Sequence, residues 1–106
     1  MIKVQDNKIT ISKGDNAVVR LRLMKNGLSF TLDTGDKLIF TANTPTPIVK
    51  ELGSPTLVFL KADTANCAAG TYEYDIKIIF ASGEQYYLIF PTQFIVRVCN
   101  ITLAGR

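Results

Sequence analysis

The chain has 106 residues, 47% of them hydrophobic and 20% charged, with 12 Lys and Arg against 9 Asp and Glu for a net charge of +3. That length suits a single domain over residues 1–106, large enough to bury a core without a metal or a disulfide. It holds no His and only 2 Cys, which excludes His-assisted Ser or Cys catalysis and a four-ligand Cys/His zinc site, so no cofactor or metal is expected.

Period-two patterning runs through the chain. Val19, Leu21 and Leu23 alternate with Arg20 and Arg22, which predicts a strand over 19–23. Asn26-Gly27 follows, a strong hairpin signal because both central residues of a type I′ turn take positive φ. Residues 29–32 form the return arm, 33–36 a second turn, and 37–41 another strand. Pro45 and Pro47 make 43–47 a loop, since proline cannot donate to a ladder. Strands over 48–52 and 56–60 then flank Gly53-Ser54-Pro55. Residues 63–66 are expected to make one helical turn capped by the Asp63 carboxylate, with Gly70 ending the segment at positive φ.

The clearest strand comes next. Tyr72, Tyr74, Ile76, Ile78 and Phe80 fall on one face and Thr71, Glu73, Asp75 and Lys77 on the other, the half-buried alternation of a sheet with one wet side. A turn over 81–84 leads into a last extended stretch over 85–98, in which Pro91 marks a bulge, an edge or a switch between sheets. Seven to eight short strands with regular turn signals predict an all-β fold, an antiparallel β-sandwich.

Tyr72 stands two residues after Gly70, behind a turn and at the head of the strongest strand. This reads as the tyrosine corner of an immunoglobulin-like sandwich: a buried ring whose hydroxyl bonds back to upstream backbone where the chain crosses between sheets. Tyr74 then occupies the position where antibody domains carry their second core cysteine, and with no Trp the chain is not antibody-type. Of the carboxylates, only Asp36, Asp63, Glu73 and Asp75 merit consideration as an acid/base pair. Asp63 is better explained as a turn cap. Glu73 and Asp75 are better explained as one solvated face, their like charge eased by Lys77 or by a cross-strand Arg20 or Arg22. A non-enzymatic role is expected.

The basic residues are scattered, with no run of three, so no nucleic-acid footprint is expected, and no membrane partner is expected either. Residues 1–7 lack the apolar core of a signal peptide, and no apolar run approaches the about 20 residues of a spanning helix. Cys67 and Cys99 could pair, but a reducing compartment, in which both thiols stay free, is the expectation: Cys99 reads as a buried small hydrophobe in an apolar run, and Cys67 as exposed in a polar turn.

The order of these features resembles the immunoglobulin-like N-terminal domain of phage baseplate upper proteins. The resemblance is carried by Lys13-Gly14-Asp15, by Asn26-Gly27, by Leu32-Asp33-Thr34-Gly35-Asp36-Lys37 with Phe40, by Lys61-Ala62-Asp63-Thr64, by Gly70-Thr71-Tyr72-Glu73-Tyr74-Asp75-Ile76, and by Phe94-Ile95-Val96. It spans residues 8–98, and in that family a longer chain commonly continues beyond this domain. It implies a structural adaptor of the virion, made in the host cytoplasm and docking to other tail or baseplate proteins or to itself.

Docking on a sandwich uses sheet edges, here the 48–52 strand and the 2–11 segment, or an apolar outer face. Ile48, Val49, Leu52, Tyr87 and Ile89 are the expected interaction surface, and Ile39, Val58, Leu60, Ile79, Tyr87 and Ile89 are expected opposite the core. A small-molecule ligand is not expected. The alternative is a glycan-binding module on the Tyr86, Tyr87 and Phe90 cluster, although alternation puts the two tyrosines on opposite faces.

Overall fold

The computed structural model describes residues 2–98 and is an all-β sandwich. Its elements in chain order are β1 (Ile2–Gln5), β2 (Lys8–Ser12), β3 (Ala17–Arg20), β4 (Met24–Lys25), β5 (Leu28–Ser29), β6 (Lys37–Ala42), β7 (Ile48–Leu52), β8 (Thr56–Phe59), the single turn α1 (Lys61–Thr64), β9 (Gly70–Ile79) and β10 (Gln85–Arg97). Eight of the ten strands have four residues or more; β4 and β5 are the two arms of one short hairpin.

The large sheet runs β1-β2-β10-β9-β6-β7, and the second layer is the β3-β8 pair. All pairs are antiparallel except β2 with β10, where Ile9 faces Phe94 and Ile11 faces Val96. That parallel pair departs from the purely antiparallel expectation. Its two strands are separated by nearly the whole domain, which provides the long crossover that parallel neighbours need.

Alternation places the core as expected. Tyr74, Ile76 and Ile78 of β9, Leu38, Phe40 and Ala42 of β6, and Phe94 and Val96 of β10 are buried on one face. Leu57 and Phe59 of β8 and Val19 of β3 meet them from the small layer. Phe59 crosses the gap, with its ring 5.4 Å from Phe40 and 5.6 Å from Phe94. Tyr74 stacks on Phe40 at 5.4 Å. Each fully buried Phe contributes about 2–3 kcal/mol of transfer free energy, so these rings fasten the layers together.

Local details differ from expectation in four places. The first strand of the small layer ends at Arg20, and 21–23 continue through the Leu21 N–H bond to the Pro55 carbonyl at 2.7 Å and the Phe30 N–H bond to the Leu23 carbonyl at 3.1 Å. The helical turn lies at Lys61–Thr64, so Asp63 is its third residue, and β8 stops at Phe59. The Asp63 carboxylate reaches back to the Leu60 N–H at 2.7 Å, the reciprocal half of a capping box, in place of the start-cap role expected. Gly70 does not take positive φ; it is the first residue of β9, and the ring of Tyr72 lies over it. Pro91 falls in a bulge, between Ile89 paired with Ile76 and Thr92 paired with Tyr74.

Both residues of the Asn26-Gly27 turn have positive φ, 52° and 79°. Nothing lies within 4 Å of a Cβ built on Gly27, so its substitution tests backbone conformation alone. Gly27→Val should cost at least about 1 kcal/mol more than Gly27→Asn, because asparagine tolerates the left-handed region and a β-branched residue does not. Urea unfolding of the two variants checks this, and equal midpoints would contradict it.

Candidate functional site

The crossing from β8 to β9 is held by side chains from distant loops. The buried Thr64 hydroxyl accepts the Gly14 N–H at 2.9 Å, and the Asn16 side-chain oxygen accepts the Lys61 N–H at 2.7 Å. Lys50 of β7 forms an ion pair with Asp63 at 2.8 Å. Asp63 therefore serves two structural partners, a backbone N–H and an ammonium. Asp36 is engaged in the same way: one carboxylate oxygen accepts the Asp33 N–H and the other the Ala81 N–H, each at 2.9 Å, tying its own turn to the β9–β10 turn. A Cβ on Gly35 would sit 2.9 Å from the Ala81 methyl, which is why glycine occupies that close approach.

The Tyr72 hydroxyl donates to the Ala68 carbonyl at 2.6 Å, four residues upstream. The ring is half-buried and the bond is exposed, a correction to the buried ring expected. Desolvation, with the neighbouring Cys67 thiol adding to it, raises this hydroxyl above its ordinary value. Cys67 is itself buried, at 9% exposure, not exposed as the polar turn implied, because the corner folds it against the core. The expectation for Cys99 lies outside the described residues.

A second phenol does the deeper work. Tyr74 is 2% exposed, and its hydroxyl donates to the Asn7 carbonyl in the β1–β2 turn. That turn, Asp6-Asn7, has both residues at positive φ, 51° and 63°. It was readable as a two-residue hairpin from Asp-Asn set between Ile2, Val4 and Ile9, Ile11, but Gly is the stronger cue at such a turn.

Glu73 and Asp75 point to the outer face of β9. Their cross-strand neighbours are Gln93 and Thr41, because β9 lies between β10 and β6. Arg20 belongs to the other layer and Arg22 to the segment that follows it, so neither is a cross-strand neighbour of Glu73 or Asp75, contrary to expectation. Among the described residues no three Cys, Asp or Glu side chains gather in one place, and no helix is long and apolar enough to cross a membrane.

The expected interaction residues separate. β7 and β1 are the two edges of the large sheet, as the 48–52 and 2–11 segments implied. On β7, Val49 is 62% exposed, whereas Ile48 is buried and Leu52 packs against the core. Ile89 also packs inward, because the bulge after Tyr87 shifts its register and pairs it with core-facing Ile76. Val58, Leu60 and Tyr87 are exposed, and Ile39 and Ile79 are half-buried. The bulges also bring Tyr87 and Phe90 together on the outer face, their rings stacked at 5.2 Å with the Lys77 ammonium 5.2 Å from the Tyr87 ring. Tyr86 lies on the other side, edge-on to Phe80, with its hydroxyl donating to Glu84 at 2.6 Å. That bond, the Glu84 charge and burial all raise the Tyr86 hydroxyl.

Comparison with protein-family models, with curated proteins and with solved structures finds no match.

Burial pushes the Tyr74 hydroxyl up to about 12 from 10.0. Because the folded value lies above the unfolded one, its contribution is complete below pH 10 and is lost as pH rises through about 12. Tyr74→Phe should destabilise by about 1–2 kcal/mol at neutral pH, leaving the Asn7 carbonyl without its donor. Tyr72→Phe should cost less, since water replaces its exposed bond. The gap between wild type and Tyr74→Phe should then narrow between pH 10 and 12 in urea titrations; a gap constant across that window would contradict the assignment.

Proposed function

We propose that this chain is a non-enzymatic structural module of a phage or prophage tail baseplate, an immunoglobulin-like adaptor that docks to other virion proteins. The observation that carries the reading is the pair of edges, β1 and β7, that have no further strand beside them among the described residues, on a sheet whose centre is closed by long-range pairing. An unpaired strand edge presents N–H and C=O groups that a partner strand can complete. The resemblance over residues 8–98 supplies the tail context. Strand order supports the immunoglobulin-like part: β10-β9-β6-β7 follows the G-F-C-C′ order of such sandwiches, and β3-β8 their B-E pair.

The carboxylates add support of a chemical kind. Asp36 and Asp63 are bound to backbone N–H groups, and Glu73 and Asp75 lie on the outer sheet face, so these four carboxylates have structural or solvated settings in place of a shared reacting atom. The test is direct. Particles induced from a lysogen that carries this gene should contain the chain, and antibody against it should label the distal end of the tail. Purified particles without the chain would overturn the reading.

A second reading, a glycan-binding module, is favoured by one arrangement. Phe90 and Tyr87 are 71% and 44% exposed and stacked, a flat apolar surface with Lys77 beside it. Such faces stack on the C–H side of sugar rings. On that reading a glycan array gives binding that Tyr87→Ala and Phe90→Ala each abolish while the fold is retained. An array without binding rejects it.

A further inference from the structure

The two layers are unequal, six strands against two. Val4 of β1 pairs with Ile9 and shares its core-side face, yet Val4 is 49% exposed and Ile9 only 1%. The small layer stops short of covering it. β3 pairs with β8 on one side and with no strand on the other among the described residues.

The hydrogen-bond phase of β3 shows what that free side offers. The Leu21 N–H bonds to the Pro55 carbonyl, and Val19 and Ala17 stand opposite Leu57 and Phe59. Residues 17, 19 and 21 thus direct their backbone groups toward β8, and Val18, Arg20 and Arg22 direct theirs to the free edge. Between this edge and the β1–β2 hairpin lies an open cleft of about 360 Å³, apolar where Val4, Ile9, Val19 and Ile89 line it. Among the described residues, Arg20 and Arg22 are the charged ones of its lining, and no Asp or Glu lines it. Neither guanidinium has an ion-pair partner among the described residues.

We propose that the free edge of β3 is a docking site for an extended, alternating apolar–acidic segment of a partner protein, which adds a strand to the small layer. The proposal rests on the docking-module reading above and names the chemistry of its partner. The guest strand hydrogen-bonds to Val18, Arg20 and Arg22. Its inward side chains cover Val4, and its outward ones lie beside Arg20 and Arg22, where Asp or Glu neutralises two cations that have no ion-pair partner among the described residues. A second copy of this chain fits poorly: its edge strand β1 carries Lys3 and no acid, and β7 sets Lys50 beside its single Glu51.

The test uses the whole isotope-labelled chain and three synthetic nine-residue peptides: alternating Val and Glu, the same composition scrambled, and alternating Val and Lys. The Val/Glu peptide should protect the amides of Val18, Arg20 and Arg22 from exchange by tenfold or more and shift the Val4 methyls. The other two peptides should do neither. Changing Arg20→Gln and Arg22→Gln together should weaken binding about three- to tenfold, the range of two exposed ion pairs. Arg20→Pro removes one outward N–H and spares the β8 ladder, so it should keep its melting temperature and lose binding. Three results would overturn the proposal: those amides unchanged with every peptide, those amides protected before any peptide is added, or the Val/Lys or scrambled peptide binding equally. Protection confined to Ile48–Leu52 would also reject the β3 edge, yet leave the docking-module reading standing, whereas particles lacking the chain would remove that reading and leave β3 binding untouched.

Discussion

The fold depends on one meeting of rings across the gap between layers. Phe59 comes from a two-stranded layer that could not persist by itself, since an isolated hairpin is marginal in water. Seated against Phe40 and Phe94, it converts that pair into the lid of a closed core. Tyr74 of the interior strand β9 extends the cluster, and its hydroxyl reaches the β1–β2 turn. The apolar contacts set the distance between layers, and the phenol sets where the amino-terminal hairpin lies.

This arrangement leaves the polar residues of the loops with structural tasks. Thr64, Asn16, Asp63 and Asp36 each satisfy a backbone N–H at a place where the chain changes layer or direction. Such bonds matter because an unpaired donor at a crossing costs about 1–3 kcal/mol once desolvated. The surfaces left over are strand edges, a stacked Tyr87–Phe90 pair and an incompletely covered flank near Val4. All three suit recognition of another molecule by area and backbone pairing.

The candidate surface was legible in part. Alternation alone puts Tyr86 and Tyr87 on opposite sides, and the structure separates them that way. The edge role of 48–52 followed from the prolines that flank it, which interrupt pairing at both ends. Ile48, Leu52 and Ile89 went astray for two reasons. An edge strand still buries one face, and a bulge, invisible to simple alternation, reverses the side a residue takes. The free side of β3 left no local trace, because it is defined by the absence of a neighbouring strand among the described residues.

What the amino-acid order determined was local: period two in β9, positive φ at Asn26-Gly27, a loop at Pro45 and Pro47, and a tyrosine positioned to bond four residues back. Each depends on sterics or hydrogen bonding within a few residues, so a short window holds the information. Tertiary structure decided that β2 runs parallel to β10, that Asn16 caps a turn 45 positions away, and that Tyr74 finds its acceptor at Asn7. Those outcomes turn on which apolar faces bury one another, a competition among distant segments that no single stretch of sequence can resolve.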